Sequence, residues 1–144
     1  MSAVQERQKK IVQDFSVFAN WEDKYKKIIE MGRALPEMPE ALKTEEAKVK
    51  GCQSQVWLHA ALNDKKEIVF QADSDAMITK GLIAILVQVY SQATPQDILA
   101  SPADFLKELG LESHLSPSRA NGLFSMLKQI RYYATAFQYM LSKT

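Results

Sequence analysis

Fifteen consecutive residues, Ala76 to Tyr90, carry a single charge, Lys80, and are apolar on nearly every side. Such a segment has no polar face to turn to water, so the rest of the chain has to be built around it. Its β-branched residues Ile78, Ile83, Ile85, Val87 and Val89 would suit a strand. Its length, and the capping types Asp73-Ser74-Asp75 just before it, favour a central buried helix. The most apolar stretch, Gly81 to Val87, falls far short of the roughly 20 residues that cross a bilayer. At 144 residues a globule buries on the order of 70% of the surface its unfolded chain exposes. One core without staples is therefore feasible, and residues 1–144 read as a single domain.

The flanking sequence supplies what could cover that helix. Val4, Ile11, Val12 and Phe15 fall at helical spacing, and a second helix is expected from the N-cap Asn20, with Trp21, Tyr25, Ile28 and Ile29 as its apolar stripe. Gly32 and Leu35-Pro36 mark its end, because a residue before proline resists the helical region. Val56, Leu58, Ala60 and Leu62 alternate with Trp57 and His59, then Asn63-Asp64-Lys65-Lys66 reads as a turn, then Ile68, Phe70 and Ala72 alternate with Val69 and Gln71. That pattern is an antiparallel hairpin with one buried face, and Ala47 to Lys50 is the best candidate for a third strand. Thr94-Pro95, Ser101-Pro102 and Ser116-Pro117 each place a capping hydroxyl before a proline, so a helix should follow each. The last is the longest, with Leu123, Leu127, Ile130, Ala134, Phe137 and Leu141 on one side. The fold class is α+β: a small antiparallel sheet of about three strands covered by helices.

Eighteen basic and seventeen acidic residues leave a net charge of +1, which gives no overall field for attracting nucleic acid. The charge is nevertheless uneven. Between 112 and 144 the only acid is Glu112, against Arg119, Lys128, Arg131 and Lys143, whereas 51 to 111 is mildly acidic. Two faces of opposite mild sign would suit a protein partner. One cysteine cannot form an internal disulfide, and the charged N-terminal stretch has no signal-like apolar run. A cytoplasmic protein with no membrane or nucleic-acid partner is expected.

The chemistry-bearing inventory is short. Cys52, His59 and His114 are scattered singly, so a metal site is not expected, and no glycine-rich phosphate loop is present. His59 lies seven residues after Cys52 on an extended run, too far along to act as its base without folding back. Asp73 and Asp75 occupy cap positions. What remains is Cys52 itself, following Gly51 and flanked by Lys48 and Lys50. A lone cysteine usually packs as a small hydrophobe. Here the glycine predicts a turn and the lysines would favour the thiolate, the form that attacks sulfur. Arg119 falls in the first turn of the last helix, where the dipole favours an acid, and such a broken local rule often marks a functional site.

Four blocks carry a resemblance. They are Trp21-Glu22-Asp23-Lys24-Tyr25 with Leu35-Pro36, Gly51-Cys52-Gln53-Ser54-Gln55-Val56-Trp57, Asp73-Ser74-Asp75 leading to Lys80-Gly81-Leu82, and Leu115-Ser116-Pro117-Ser118-Arg119 with Gly122-Leu123. In this order they resemble the SufE-type sulfur-acceptor family, whose fold is similar to that of IscU-type scaffolds. The resemblance implies that Cys52 takes sulfur from the persulfide of a SufS-type cysteine desulfurase, stimulates that enzyme, and passes the sulfur to an iron–sulfur assembly scaffold. It places Gly51, Gln53, Ser54 and Gln55 in the cysteine loop and Asp73, Asp75 and Arg119 at or near a partner-facing surface. The protein would then be a carrier, not an enzyme, with no cofactor of its own, since pyridoxal phosphate chemistry belongs to the desulfurase. It would act as a monomer or homodimer, with its thiol tucked against apolar neighbours at rest. Two other classes are a noncovalent adaptor docking through the Arg119 region and a solitary cysteine enzyme using His114.

Overall fold

The computed structural model describes residues 1–143. Helix α1 (Ala3–Ser16) opens on a capping box in which Ser2 accepts from the Gln5 amide and the Gln5 side chain reciprocates. Helix α2 (Trp21–Ala34) starts at the expected Asn20 cap and stops where Leu35 turns extended before Pro36. A single 3-10 turn (Glu40–Leu42) and a loop lead to strands β1 (Val56–Leu62) and β2 (Ile68–Ser74). Helices α3 (Met77–Tyr90), α4 (Pro95–Ala100), α5 (Phe105–Glu108), α6 (Leu111–His114) and α7 (Pro117–Ser142) follow.

Helix α3 is the centre. Ile78, Leu82, Ile83, Ile85, Leu86, Val89 and Tyr90 are all buried, and α1, α2, α7 and β2 pack around them. Each fully buried large aliphatic side chain contributes about 1.5–3 kcal/mol relative to exposure, and α3 supplies more of the buried hydrophobic residues than any other element. The hairpin pairs Val56 with Ser74 through Leu62 with Ile68, and alternate β2 residues Ile68, Phe70 and Ala72 are buried against the core. Its inward face thereby supplies the second layer.

Three expectations need correction. The sheet has two strands among the described residues, not three. Ala47 to Lys50 does reach β1, through Val49 N–H to the Val56 carbonyl and Leu58 N–H to the Ala47 carbonyl, each 2.8 Å. The turn before Ala47 and the turn at Gly51 leave room for only one bridge, Lys48 to Trp57. Asp73-Ser74-Asp75 does not cap α3 in the expected manner: β2 runs through Ser74, and Ala76 occupies the N-cap position with no side-chain cap bond. No helix begins at Ser101-Pro102 either. The Ser101 hydroxyl is fully buried and donates back to the Asp97 carbonyl at 2.8 Å, closing α4, so the next helix waits until Phe105.

Gly32 also does more than end a helix. It lies inside α2, and a Cβ there would meet the Gly81 amide nitrogen of α3 at 2.8 Å, while a Cβ on Gly81 would overlap the Ile28 carbonyl. Two glycines thus let the α2 and α3 backbones touch. Gly81→Ala should lower the unfolding free energy by about 1–3 kcal/mol, as overpacking against backbone does. A urea midpoint equal to that of the parent would contradict this close approach.

Candidate functional site

The loop between the Lys48 bridge and β1 is shaped by backbone geometry. Gly51 has φ of 92°, in the region that favours glycine, and a Cβ there would also lie 2.5 Å from Ser125 Oγ of α7. The far end of the loop is clasped to the end of β2: Asp75 Oδ1 accepts from Gln55 N–H at 3.0 Å, and Asp75 N–H donates to the Gln55 carbonyl at 3.2 Å. Between these anchors Cys52 is half-buried, and its thiol donates to the Gly122 carbonyl, Sγ to O 3.6 Å. A Cβ at Gly122 would come within 3.5 Å of that sulfur, so the glycine leaves open the strip of α7 on which the thiol rests.

The sulfur borders an open cavity of about 450 Å³ whose walls include Ser54 from the loop, Ile78 and Leu82 from α3, and Ser118, Arg119 and Met126 from α7. Gln53 also lines it. Arg119 is exposed, and its Nη1 donates to Tyr25 Oη at 2.9 Å. Tyr25 in turn packs near Trp21, with ring centroids 6.4 Å apart. A cation thereby lines the same cavity as the sulfur, and the side chain that holds it is a phenol, not an acid.

The other expected residues are distributed differently. Asp75 belongs to the loop anchor. Asp73, only 17% exposed, does not line the cavity: it receives Lys43 at 2.8 Å and Lys80 at 3.3 Å. Burial alone would push its carboxyl up, but hydrogen bonds from Lys43, the Ser74 amide and Lys80 outweigh that and hold it below the usual carboxylate range. The Lys43 ammonium is raised chiefly by its bond to Asp73, then by Glu40, and sits over the Trp57 ring at 5.4 Å. His59 lies on β1, and His114 stacks on Trp21 at 4.6 Å while its Nδ1 meets the Gly110 carbonyl at 2.9 Å. Neither histidine lines the sulfur cavity.

The lysine flank does not act as expected on the thiol. Burial pushes Cys52 up from the ordinary thiol value, and Lys48 instead pairs with Glu45 at 3.0 Å. Donation to a carbonyl works in the same direction, since a thiolate has no proton to give. Sequence reasoning also missed Tyr25 as the partner of Arg119 and Gly122 as the seat of the sulfur. Both lie within the recurring blocks, but nothing in their spacing pairs them with residues 94 and 70 positions away.

Two measurements follow from these environments. Alkylation of Cys52 with iodoacetamide should rise with pH through a midpoint above the free-thiol value of about 8.5, and a midpoint below it would contradict the burial effect. Asp73 has a lowered folded pKa, so its stabilisation is present above its unfolded value and is lost as pH falls through the folded one. Asp73→Asn should therefore be less stable than the parent at neutral pH, with the difference closing below about pH 4. A difference that is constant with pH would rule out an ionised Asp73 as the cause.

Residues 9–134 match the family described as "SufE: Fe-S metabolism associated domain". An uncharacterised SufE-like protein of Rhizobium meliloti (strain 1021) is 44% identical over 125 residues, covering 84% of this chain and 89% of that one. The solution structure of a hypothetical protein from Thermus thermophilus superposes with a TM-score of 0.77, covering 92% of this chain and 96% of the other at 20% identity, a likeness of fold. On its extent of match and on this identity, the chain belongs to the SufE family of domains associated with iron–sulfur metabolism.

Proposed function

We propose that Cys52 is a sulfur acceptor, taking sulfane sulfur from the persulfide of a SufS-type cysteine desulfurase and handing it to an iron–sulfur assembly scaffold. The observation that carries this reading is a single thiol on a doubly anchored loop, its sulfur bordering an open cavity that Arg119 also lines. In the transfer, the Cys52 thiolate attacks the outer sulfur of the donor persulfide. A new S–S bond forms on Cys52 as the donor's S–S bond breaks, and the donor cysteine leaves as a thiolate. The sulfane sulfur keeps its oxidation level, so no external oxidant or reductant enters. With no second cysteine in the chain, the product persulfide has no internal thiol to cleave it. Removing the persulfide from the desulfurase would also free that enzyme for its next turnover.

The resting thiol is suited to waiting. Its raised pKa and half-burial keep it protonated, which slows oxidation between encounters. Reaction then requires the sulfur to leave the Gly122 carbonyl and lose its proton when the partner docks. Asp75 and Gly51 are the points about which the loop would move, and Arg119 stands beside the path, able to favour the thiolate electrostatically once the sulfur is released.

The test is mass spectrometry after mixing the protein with a SufS-type desulfurase and cysteine. The peptide containing Cys52 should gain the mass of one sulfur, and Cys52→Ser should neither gain it nor stimulate cysteine turnover. Stimulation that survives in Cys52→Ser, with no sulfur gained by the parent, would replace the carrier by a noncovalent adaptor.

A further inference from the structure

The sulfur cavity holds donors that the resting thiol does not use. Helix α3 begins at its wall, where Ala76 from the cap position and Ile78 and Thr79 from the first turn all line it. An α-helix leaves its first four amides unbonded within itself. Here Ala76 N–H finds Ser74 Oγ at 3.3 Å, whereas the amides of Met77, Ile78 and Thr79 have no partner among the described residues. The start of this 14-residue helix carries the equivalent of about half a positive charge.

Thr79 adds a side chain to these amides. It is only 8% exposed, and its hydroxyl forms no hydrogen bond among the described residues, not even the bond to the carbonyl four residues back that Thr135 makes. Leaving a buried hydroxyl unbonded costs free energy. Trp57 Nε1 is the one fully enclosed side-chain polar atom without a partner among the described residues, so Thr79 Oγ1 keeps an opening, and the cavity it lines supplies it. No acid lines that cavity, and its single charged side chain is Arg119. Asp75 is held on Gln55 N–H, Lys80 pairs with Asp73, and none of these three is a wall of it. Donors without acceptors around a cavity that a sulfur borders make a seat for an anion. The resting thiol, which donates to the Gly122 carbonyl, is not that anion.

We infer that this cavity seats the outer sulfur of the loaded Cys52 as a perthiolate, with the Thr79 hydroxyl donating to it at the open start of α3. The inference deepens the sulfur-acceptor reading and rests on it for the identity of the anion. An S–S bond of about 2.05 Å sets the outer sulfur one bond from Sγ, which already borders the cavity. A persulfide is a stronger acid than its parent thiol, because the inner sulfur withdraws electron density. Its S–H bond breaks, the electron pair stays on the outer sulfur, and the proton passes to water in the open cavity, with no change of oxidation level. A perthiolate has no proton to give the Gly122 carbonyl, so loading itself turns the sulfur from an acceptor toward donors. Thr79 is therefore a binding residue for the cargo and not for the empty carrier.

The full-length parent, Thr79→Val and Thr79→Ser would each be loaded on Cys52 with inorganic polysulfide, which needs no desulfurase. Capping of the outer sulfur by iodoacetamide would then be followed by mass against pH. Loss of a donor to an anion should raise the midpoint of loaded Thr79→Val by about one pH unit, while loaded Thr79→Ser stays within ~0.3 unit of the parent. The unloaded proteins should share one midpoint, because the resting sulfur bonds to Gly122. Thr79→Ala, which also lacks the hydroxyl, should shift as Thr79→Val does and replaces it in the comparison if the valine variant does not fold. Equal midpoints in the loaded parent and the hydroxyl-free variants, a shift of the same size in the unloaded proteins, no rescue by serine, or failure of polysulfide to load Cys52 would each overturn the inference. The expected shift in a parent that never gains sulfur from a SufS-type desulfurase would instead remove the carrier reading and keep the anion seat.

Discussion

Burial of α3 is the constraint on which the structure depends. A helix apolar on nearly all sides must be enclosed, and α1, α2, α7 and the inner face of the hairpin enclose it. The enclosure is tight enough that Gly32 and Gly81 bring two backbones into contact, which sets the position of α2. Because α2 carries Tyr25 and α7 carries Arg119, their packing on one central helix is also what brings a phenol within 2.9 Å of a guanidinium that lines the cysteine's cavity.

The site is a local compromise built on that frame. The loop that bears Cys52 is pinned at Gly51 by a positive φ and by Ser125, and at Gln55 by Asp75. Between the pins the sulfur is free of covalent or ionic ties and rests on a carbonyl that a glycine leaves exposed. Partial burial pushes such a thiol's pKa up and so favours the protonated, less reactive form. Among the described residues, the one hydrogen bond that holds the sulfur is its donation to the Gly122 carbonyl.

Much of the fold was legible from the chain because it rests on local chemistry. The Asn20 cap, the Leu35-Pro36 stop, the alternation along Val56 to Leu62 and Ile68 to Ala72, and the Ser116-Pro117 start all act over a few residues and all occur where expected. The misses have separate physical causes. Ser101 looks like a cap until its hydroxyl is taken by the preceding helix, and Asp73 looks like a cap until the strand extends through it and two lysines claim it. Ala47 to Lys50 is bonded to β1 but is too short between turns to become a strand. Asp73 had its role chosen by a partner distant in sequence, Lys43, whereas Ser101 is claimed by Asp97 four residues back and Ala47 to Lys50 is cut short by the turns that flank it.

From the sequence alone came the buried central helix, the hairpin, the single thiol after a glycine and the family blocks around it, since periodicity, composition and residue order are properties of the chain itself. The protonation of that thiol was not among them. Lys48 and Lys50 are near Cys52 in sequence and suggest a thiolate, whereas in three dimensions Lys48 turns to Glu45 and the sulfur turns to Gly122, so burial prevails. Tertiary structure alone decided what surrounds the sulfur, because electrostatic effects depend on separation in space and on burial, and neither is encoded by position along the chain.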